Sequence, residues 1–166
     1  MIGALRVPAT VVAAALVWLM AAAQLPSQAR LPLAAVVQGA VVTQPFGCTS
    51  FPLEPFVLAC PGMHFHTGID LAAPLGTEVR SATSGAARVA YDPNGAGLYV
   101  AVLVDPRVRI LYCHLSSVSI HAGEAVTPGE VIGLVGATGL ATGPHVHFEI
   151  QVDGKPVDPV QWLATP

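Results

Sequence analysis

The sequence predicts a mostly β protein, a single domain built of antiparallel sheet. Short apolar runs rich in β-branched residues alternate with turn residues, and no segment between residues 36 and 156 keeps a long 3.6-residue period. Glycine occurs 16 times and proline 15 times among 166 residues, which is typical of a chain with many turns. A chain of this length is enough for one compact domain.

The predicted elements follow from these runs. Asp105-Pro106-Arg107 separates two of them and predicts a hairpin. Near the end, Asp158 and Pro159 are suited to the N-cap and first position of a short helix. The predicted strands are residues 85–91, 98–104, 108–115, 131–135 and 145–152.

The N-terminus has the pattern of an export signal. Residues 7–23 are uncharged, follow a short start with one arginine, and end in Ala21-Ala22-Ala23. This pattern favours a cleaved signal peptide over residues 1–23, and a retained hydrophobic anchor helix, giving membrane attachment, is the alternative. A proline-containing linker over residues 24–35 and a domain over residues 36–166 would follow, exported to the cell envelope or the medium.

Charge and cysteine content narrow the classes of function. Charged residues make up 10% of the chain and the formal net charge is −3, without a basic patch, so we expect no nucleic-acid partner. Export permits disulfides. Cys48 and Cys60 flank a proline-containing loop and are the expected pair, which leaves Cys113 as a buried free thiol in a strand.

The strand predicted at residues 145–152 carries the first chemical signal. His145, His147 and Glu149 alternate with apolar residues, and alternate side chains of a strand share a face. The apolar residues can therefore be buried while two imidazoles and a carboxylate converge on the other face. Two histidines on one strand face favour a metal or catalytic site over an ordinary solvated surface.

A second strand carries another histidine. The alternation over residues 108–115 predicts that Tyr112 and His114 share one face and that Cys113 and Leu115 share the other. His114 is therefore expected to point away from Cys113. Taken alone, a single strand histidine is more often a structural residue.

His66 and Asp70 form the third part of the pattern. Gly68 between them makes a helix doubtful, so we expect a turn or bulge to bring the imidazole and the carboxylate together. Two histidines and one aspartate would complete a three-ligand site with a fourth position for water, as in catalytic zinc sites. The glycine-rich residues 136–143 precede a strand, which disfavours a phosphate loop, and we expect this loop to set the approach to His145.

Together these segments resemble the lysostaphin-like zinc endopeptidases of bacterial peptidoglycan, over roughly residues 41–163. The resemblance implies an antiparallel sheet crossed by a substrate groove. It also implies one Zn²⁺ per chain, bound by His66, Asp70 and His147, with His145 and His114 as the catalytic histidines. The motifs that carry it are His-x-Gly-x-Asp (66–70), Tyr-x-His-Leu (112–115) and Thr-Gly-Pro-His-x-His-x-Glu (142–149).

The implied activity is hydrolysis of peptide bonds in peptidoglycan stem peptides or cross-bridges, with metal-bound water as the nucleophile. His145 is the expected base and His114 the expected hydrogen-bond donor to the oxyanion or leaving amine, although the roles are exchangeable. Glu149 is either a partner that orients an imidazole or a solvent-facing carboxylate. We expect a monomer, and the alternative function is a non-cleaving, zinc-containing wall-binding scaffold or hydrolase activator.

Overall fold

The computed structural model describes residues 30–165, and these form a mostly antiparallel β fold, as the sequence predicts. The predicted signal or anchor, residues 1–23, lies outside the described residues. No helix within residues 30–165 has the length and apolar character needed to cross a membrane.

The strands are β1 (Val41–Gln44), β2 (Gly47–Thr49), β3 (His64–His66), β4 (Ile69–Ala72), β5 (Glu78–Arg80), β6 (Gly85–Asp92), β7 (Gly97–Leu103), β8 (Val108–Leu115), β9 (Ser117–Val118), β10 (Ala125–Val126), β11 (Val131–Leu134), β12 (His145–Val152) and β13 (Lys155–Val157), and the helices are α1 (Leu33–Val36) and α2 (Pro159–Ala164).

Eight strands form the main sheet, in the order β1-β4-β12-β8-β7-β6-β10, with β13 paired to β12. The central strand β12 pairs antiparallel with β4 on one side and β8 on the other. The hairpin predicted at Asp105-Pro106-Arg107 joins β7 to β8. Strands far apart in sequence therefore lie side by side at the centre of the sheet.

Two smaller sheets complete the fold. One has the order β5-β11-β9, and the other is the β2–β3 pair. The predicted Cys48–Cys60 disulfide is confirmed, and Cys113 is free and buried. The disulfide closes a loop that begins in β2 and ends shortly before β3, so both ends of this loop are held at the β2–β3 pair.

The core lies between the main sheet and the β5-β11-β9 sheet. The apolar face of β12 supplies Val146, Phe148 and Ile150, all fully buried, as their alternation predicts. Tyr112 of β8 packs against Phe148 with ring centroids 5.2 Å apart, and Ile132 of β11 belongs to the same cluster. Burying one face of β12 leaves its other face, with the two histidines, on the opposite side of the sheet.

The ends of the domain pack together. Asp158 caps α2 by accepting hydrogen bonds from two backbone N–H groups, and Pro159 occupies the first turn, as predicted. Arg30, from the segment predicted as a linker, stacks on Trp162 at 3.7 Å from the ring centroid and donates to the Trp162 carbonyl. Residues before the first strand therefore form part of the packed structure.

Candidate metal centre

Three side chains from three strands converge on one point. His66 ends β3, Asp70 lies in β4, and His147 lies opposite Asp70 in the β4–β12 pairing. His66 Nε2 is 3.2 Å from Asp70 Oδ1 and 2.9 Å from His147 Nδ1, and His147 Nδ1 is 3.1 Å from Asp70 Oδ1. We call these residues the His–Asp–His cluster. They are the three residues that the resemblance assigns as ligands.

Hydrogen bonds outside the cluster determine which ring nitrogens face it. His66 Nδ1 donates to the carbonyl of Pro45 at 2.9 Å, which leaves the lone pair of Nε2 directed into the cluster. His147 Nε2 lies 3.3 Å from Glu149 Oε2 and donates to it, which leaves Nδ1 for the cluster. Three electron-pair donors then face one another, an arrangement that repels itself unless a proton or a metal ion lies between them.

The geometry of this donor set fits zinc. Zinc bonds of about 2.0 Å in a tetrahedron place neighbouring ligand atoms about 3.3 Å apart. The three distances within the cluster are 2.9, 3.1 and 3.2 Å, so small outward movements would admit the ion. Two imidazoles and one carboxylate are also the ligand types that zinc prefers.

The electrostatics of the cluster favour positive charge. Burial alone would lower the pKa of His147, but hydrogen bonds with Asp70 and Glu149 outweigh burial and raise it to about 9. Burial alone would raise the pKa of Asp70, but hydrogen bonds with His147 and His66 hold it well below its usual range. The site therefore stabilises a cation held between its donors.

Two further histidines lie beside the cluster. His114 of β8 and His145 of β12 have ring centroids 4.7 Å apart. Each donates from Nδ1 to a backbone carbonyl at 2.8 Å, that of Thr138 for His114 and that of Gly143 for His145. Each Nε2 is then an acceptor, and that of His145 is 3.8 Å from Asp70 Oδ1. Burial lowers the pKa of His114 to about 4, so its ring is neutral at pH 7.

The position of His114 corrects the prediction from alternation. His114 and Cys113 both line the groove described below, whereas Tyr112 is buried in the core, so the expectation of opposite faces for His114 and Cys113 is wrong. His114 has a φ of +63°, and the β7–β8 register shifts beside it. A bulge of this kind inserts a residue that does not follow the alternation and redirects its side chain.

The loop at residues 136–143 holds both of these histidines. His145 N donates to the carbonyl of Gly136 at 3.1 Å. The hydroxyl of Thr138 donates to the carbonyl of Leu115 at 2.8 Å and accepts from Leu98 N at 2.9 Å, while its own carbonyl binds His114. Thr138 therefore fixes the bulged end of β8. The sequence contains no signal for this role, because the contact joins segments far apart.

Glu149 is an orienting partner, which decides between the two alternatives left by the sequence. Its side chain is largely buried rather than solvent-facing. Besides His147, it accepts from the hydroxyl of Thr67 at 2.7 Å and from the amide of Gln151. Burial would raise the pKa of Glu149, but these bonds outweigh that effect and lower it. An ionised Glu149 holds His147 in the tautomer with a free Nδ1.

Gly68 has a steric role that the motif alone does not reveal. A Cβ at this position would lie 2.6 Å from the carbonyl oxygen of Phe148 and 2.8 Å from His147 Nε2. Only glycine therefore lets the β3–β4 connection pass so close to the ring of His147. No helix forms between His66 and Asp70, in agreement with the turn or bulge expected there.

Asp70 and His147 of the cluster line an open groove with a volume of about 590 Å³, together with the two further histidines, while His66 is fully buried. Cys113 also lines it, but burial and the nearby carboxylates of Glu149 and Asp70 raise the pKa of its thiol, so the sulfur stays protonated and is a poor metal ligand. The other lining residues are Thr43, Gln44, Phe51, Leu53, Glu54, Thr67, Ala72, Gly95, Ala96, Leu111, Leu140, Thr142, Gly143, Pro144 and Glu149.

Comparison with known proteins identifies the family. The model of peptidase family M23 matches residues 64–159, which is more than half of the chain. This chain belongs to peptidase family M23. The match includes all five residues of the cluster and the histidine pair. The resemblance found in the sequence motifs is thereby confirmed at the level of the family.

Individual M23 relatives agree with this assignment. The chain is 41% identical over 126 residues to the DD-carboxypeptidase/endopeptidase Mpg of Neisseria meningitidis, covering 75% of this chain and 28% of that protein. The catalytic domain of the antimicrobial peptidase lysostaphin from Staphylococcus simulans superposes with a TM-score of 0.63 at 27% identity, covering 76% of this chain and 93% of that domain. A zinc-containing peptidase from Vibrio cholerae superposes with a TM-score of 0.64 at 29% identity, and the match covers 79% of this chain and 40% of that one.

Proposed function

We propose that this M23 chain is an exported zinc endopeptidase that hydrolyses peptide bonds in peptidoglycan stem peptides or cross-bridges. The observation that carries the proposal is the convergence of three donor atoms within 3.2 Å of one another beside two histidines in an open groove. The name of the Neisseria relative, a carboxypeptidase and endopeptidase, supports peptide hydrolysis. Because the chain spans about a quarter of that relative, the substrate itself is part of the proposal.

His66 Nε2, Asp70 Oδ1 and His147 Nδ1 would bind the zinc ion. Bound there, zinc supplies a Lewis acid that polarises the scissile carbonyl and activates water near neutral pH. Two neutral imidazoles and one carboxylate leave a formal charge of +1 at such a centre. The protein's contribution is to hold the three donors in place, through Pro45 for His66 and through Glu149 for His147.

We assign proton transfer to His145. Its Nε2 faces the groove with a free lone pair, because its Nδ1 proton binds the carbonyl of Gly143. The carboxylate of Asp70, 3.8 Å away, stabilises the imidazolium that forms when His145 takes the proton of the attacking water. His145 then returns this proton to the amide nitrogen as the C–N bond breaks, which releases an amine and a carboxylic acid that keeps the second proton of the water.

His114, the second histidine beside the cluster, would form hydrogen bonds at the same reacting peptide bond. Its ring is fixed by Thr138 and presents Nε2 to the groove as an acceptor. In this tautomer His114 donates to the oxyanion or the leaving amine only after it has received a proton. The ring centroids of His114 and His145 are 4.7 Å apart, so both imidazoles act on the same peptide bond.

Export is part of the same proposal. The Cys48–Cys60 disulfide supports an oxidising compartment such as the cell envelope or the medium. Residues 1–23 would direct the chain there, either as a cleaved signal or as an anchor at the membrane. Peptidoglycan lies in that compartment, so the proposed location and the proposed substrate agree.

Release of peptides from purified cell walls tests the activity. Zinc-loaded protein should release new amino groups and soluble peptides, and a chelator should stop the release until zinc is restored. A non-cleaving scaffold would instead bind the walls with no release in either condition. Wall binding without release by zinc-loaded protein would therefore overturn the proposed hydrolysis and favour the scaffold.

A further inference from the structure

Glu54 brings a carboxylate to the wall of the groove beside the His–Asp–His cluster. It lies in the loop closed by the Cys48–Cys60 disulfide, and its side chain is 16% exposed. Its Oε1 accepts a hydrogen bond from Gln44 Nε2 at 3.1 Å and lies 3.9 Å from His66 Nε2. A group bound by Glu54 would therefore lie next to the bond being cleaved.

The backbone around Glu54 is held firmly. Its carbonyl accepts a hydrogen bond from His64 Nδ1 at 2.7 Å, and the carbonyl of the next residue, Pro55, accepts from Phe65 N at 3.0 Å. The disulfide ties the same loop to β2. The position of the carboxylate is therefore set before any ligand arrives, which lowers the entropic cost of binding.

The charges around the groove single out this carboxylate. Among residues 30–165, Asp70, Glu149 and Glu54 line the groove, and no lysine or arginine does. Asp70 and Glu149 both contact His147, and together they balance the two charges of a divalent ion in the cluster. The side chain of Glu54 accepts its hydrogen bond from the neutral amide of Gln44, and the nearby ring of His66, 3.9 Å away, is uncharged when it binds a metal ion. The groove is therefore left with an unbalanced negative charge, which favours a cationic ligand.

The surroundings of Glu54 restrict the shape of that ligand. Phe51 and Leu53, from the same loop, also line the groove and supply apolar surface near the carboxylate. An ammonium group at the end of an alkyl chain matches both features, since its methylene groups contact apolar side chains while its charge meets a carboxylate.

We propose that Glu54 forms a subsite that binds the ammonium group of a diamino acid side chain in the peptide substrate. This inference rests on the proposed function, because it assumes that a peptide occupies the groove. A hydrogen bond between charged groups predicts a preference of about tenfold to a hundredfold for a peptide with a free amine over its acetylated form.

Binding of matched peptides tests the subsite. The probes are a short peptide with one lysine and the same peptide acetylated at Nζ, titrated calorimetrically into zinc-loaded protein. The wild type should prefer the free amine by at least tenfold. Glu54→Gln should bind both peptides equally, with the affinity that the wild type has for the acetylated one, while its zinc content stays unchanged.

Two control variants separate the subsite from other effects. Glu78→Gln removes the same charge from an exposed side chain outside the groove and should keep the preference. Gln44→Met removes the hydrogen bond to Glu54 but keeps the carboxylate, so it should also keep the preference. If Glu54 acts only by bracing the loop, Gln44→Met and Glu54→Gln should instead behave alike.

Three results would overturn the subsite: no preference in the wild type, a preference that survives in Glu54→Gln, or loss of zinc in Glu54→Gln, which would make Glu54 a metal ligand. Mass spectrometry of the recovered peptides shows whether they were cut. Because binding is measured without requiring cleavage, failure of the subsite is distinct from failure of hydrolysis, which the cell-wall assay reports.

Discussion

His147 lies directly opposite Asp70 in the β4–β12 ladder, and its Nδ1 is 3.1 Å from the aspartate carboxylate. The pairing of two central strands therefore fixes the distance between two of the proposed ligands. Both strands bury apolar residues on their other face, so this distance is maintained by the core. A site built on paired strands is more rigid than one built on loops, which suits a catalytic metal ion.

We expect one zinc ion per mature chain. The described residues contain one group of three histidine, cysteine, aspartate or glutamate residues that could hold a metal ion, namely the His–Asp–His cluster. Elemental analysis of protein purified without added metal, and again after zinc reconstitution, checks the ratio. A ratio near two, or no zinc after reconstitution, would refute the assignment.

Replacing the two histidines of β12 should have different effects on zinc binding and on hydrolysis. His147→Ala removes a proposed ligand and should lose zinc and activity together. His145→Ala should keep zinc while hydrolysis falls by about 10²–10⁴-fold, the usual contribution of general acid–base catalysis. Parallel zinc titrations and cell-wall assays compare the variants. Equal loss of zinc in both would show that the proposed division of roles is wrong.

Replacing Glu149 should weaken metal binding without removing a ligand. Glu149→Gln leaves a neutral amide next to His147 Nε2 and should reduce zinc affinity by about 10–100-fold, the usual effect of losing such a partner. Competition with a chromophoric chelator measures the affinity. Thr67→Val, which removes only the hydroxyl that donates to Glu149, should have a smaller effect, and an unchanged affinity in Glu149→Gln would contradict the orienting role.

Adding a methyl group at Gly68 should disrupt the metal centre. Gly68→Ala places a Cβ 2.8 Å from His147 Nε2, so the ring must move and zinc affinity should fall. Gly143→Ala is the matched control, because a Cβ there meets no atom of residues 30–165 within 4 Å although Gly143 also lines the groove. Zinc titration and circular dichroism of both variants separate loss of metal from loss of fold. Equal zinc affinities would argue against the steric role.

The disulfide should stabilise the fold and hold in place the loop that lines part of the groove. Cys48→Ser opens the loop that carries Phe51, Leu53 and Glu54, and should lower the free energy of unfolding by about 3 kcal/mol in the chain-entropy model. Denaturant unfolding measures this change. In non-reducing peptide maps of the wild type, Cys113 should be the cysteine that is alkylated. A disulfide that includes Cys113 would be inconsistent with its burial.

Local patterns in the sequence determined much of this protein. Apolar and polar residues alternate along β12, which places Val146, Phe148 and Ile150 on the face opposite the histidines. This arrangement can be predicted from the sequence because a buried strand face requires apolar residues. The Cys48–Cys60 pair and the Asp158 cap also depend on neighbours in the sequence. The family motifs supplied the three residues of the cluster, whose convergence is a matter of strand pairing.

Only the tertiary structure decided the remaining features of the site. The bulge that turns His114 into the groove arises from the β7–β8 register and from the contact with Thr138, which no local pattern encodes. The need for glycine at position 68 comes from the ring of His147, and Glu54 reaches the cluster because a loop folds back over β3. Alternation predicts which face of the sheet a residue of a regular strand occupies. Bulges and close backbone approaches depend instead on contacts with segments that are distant in the sequence.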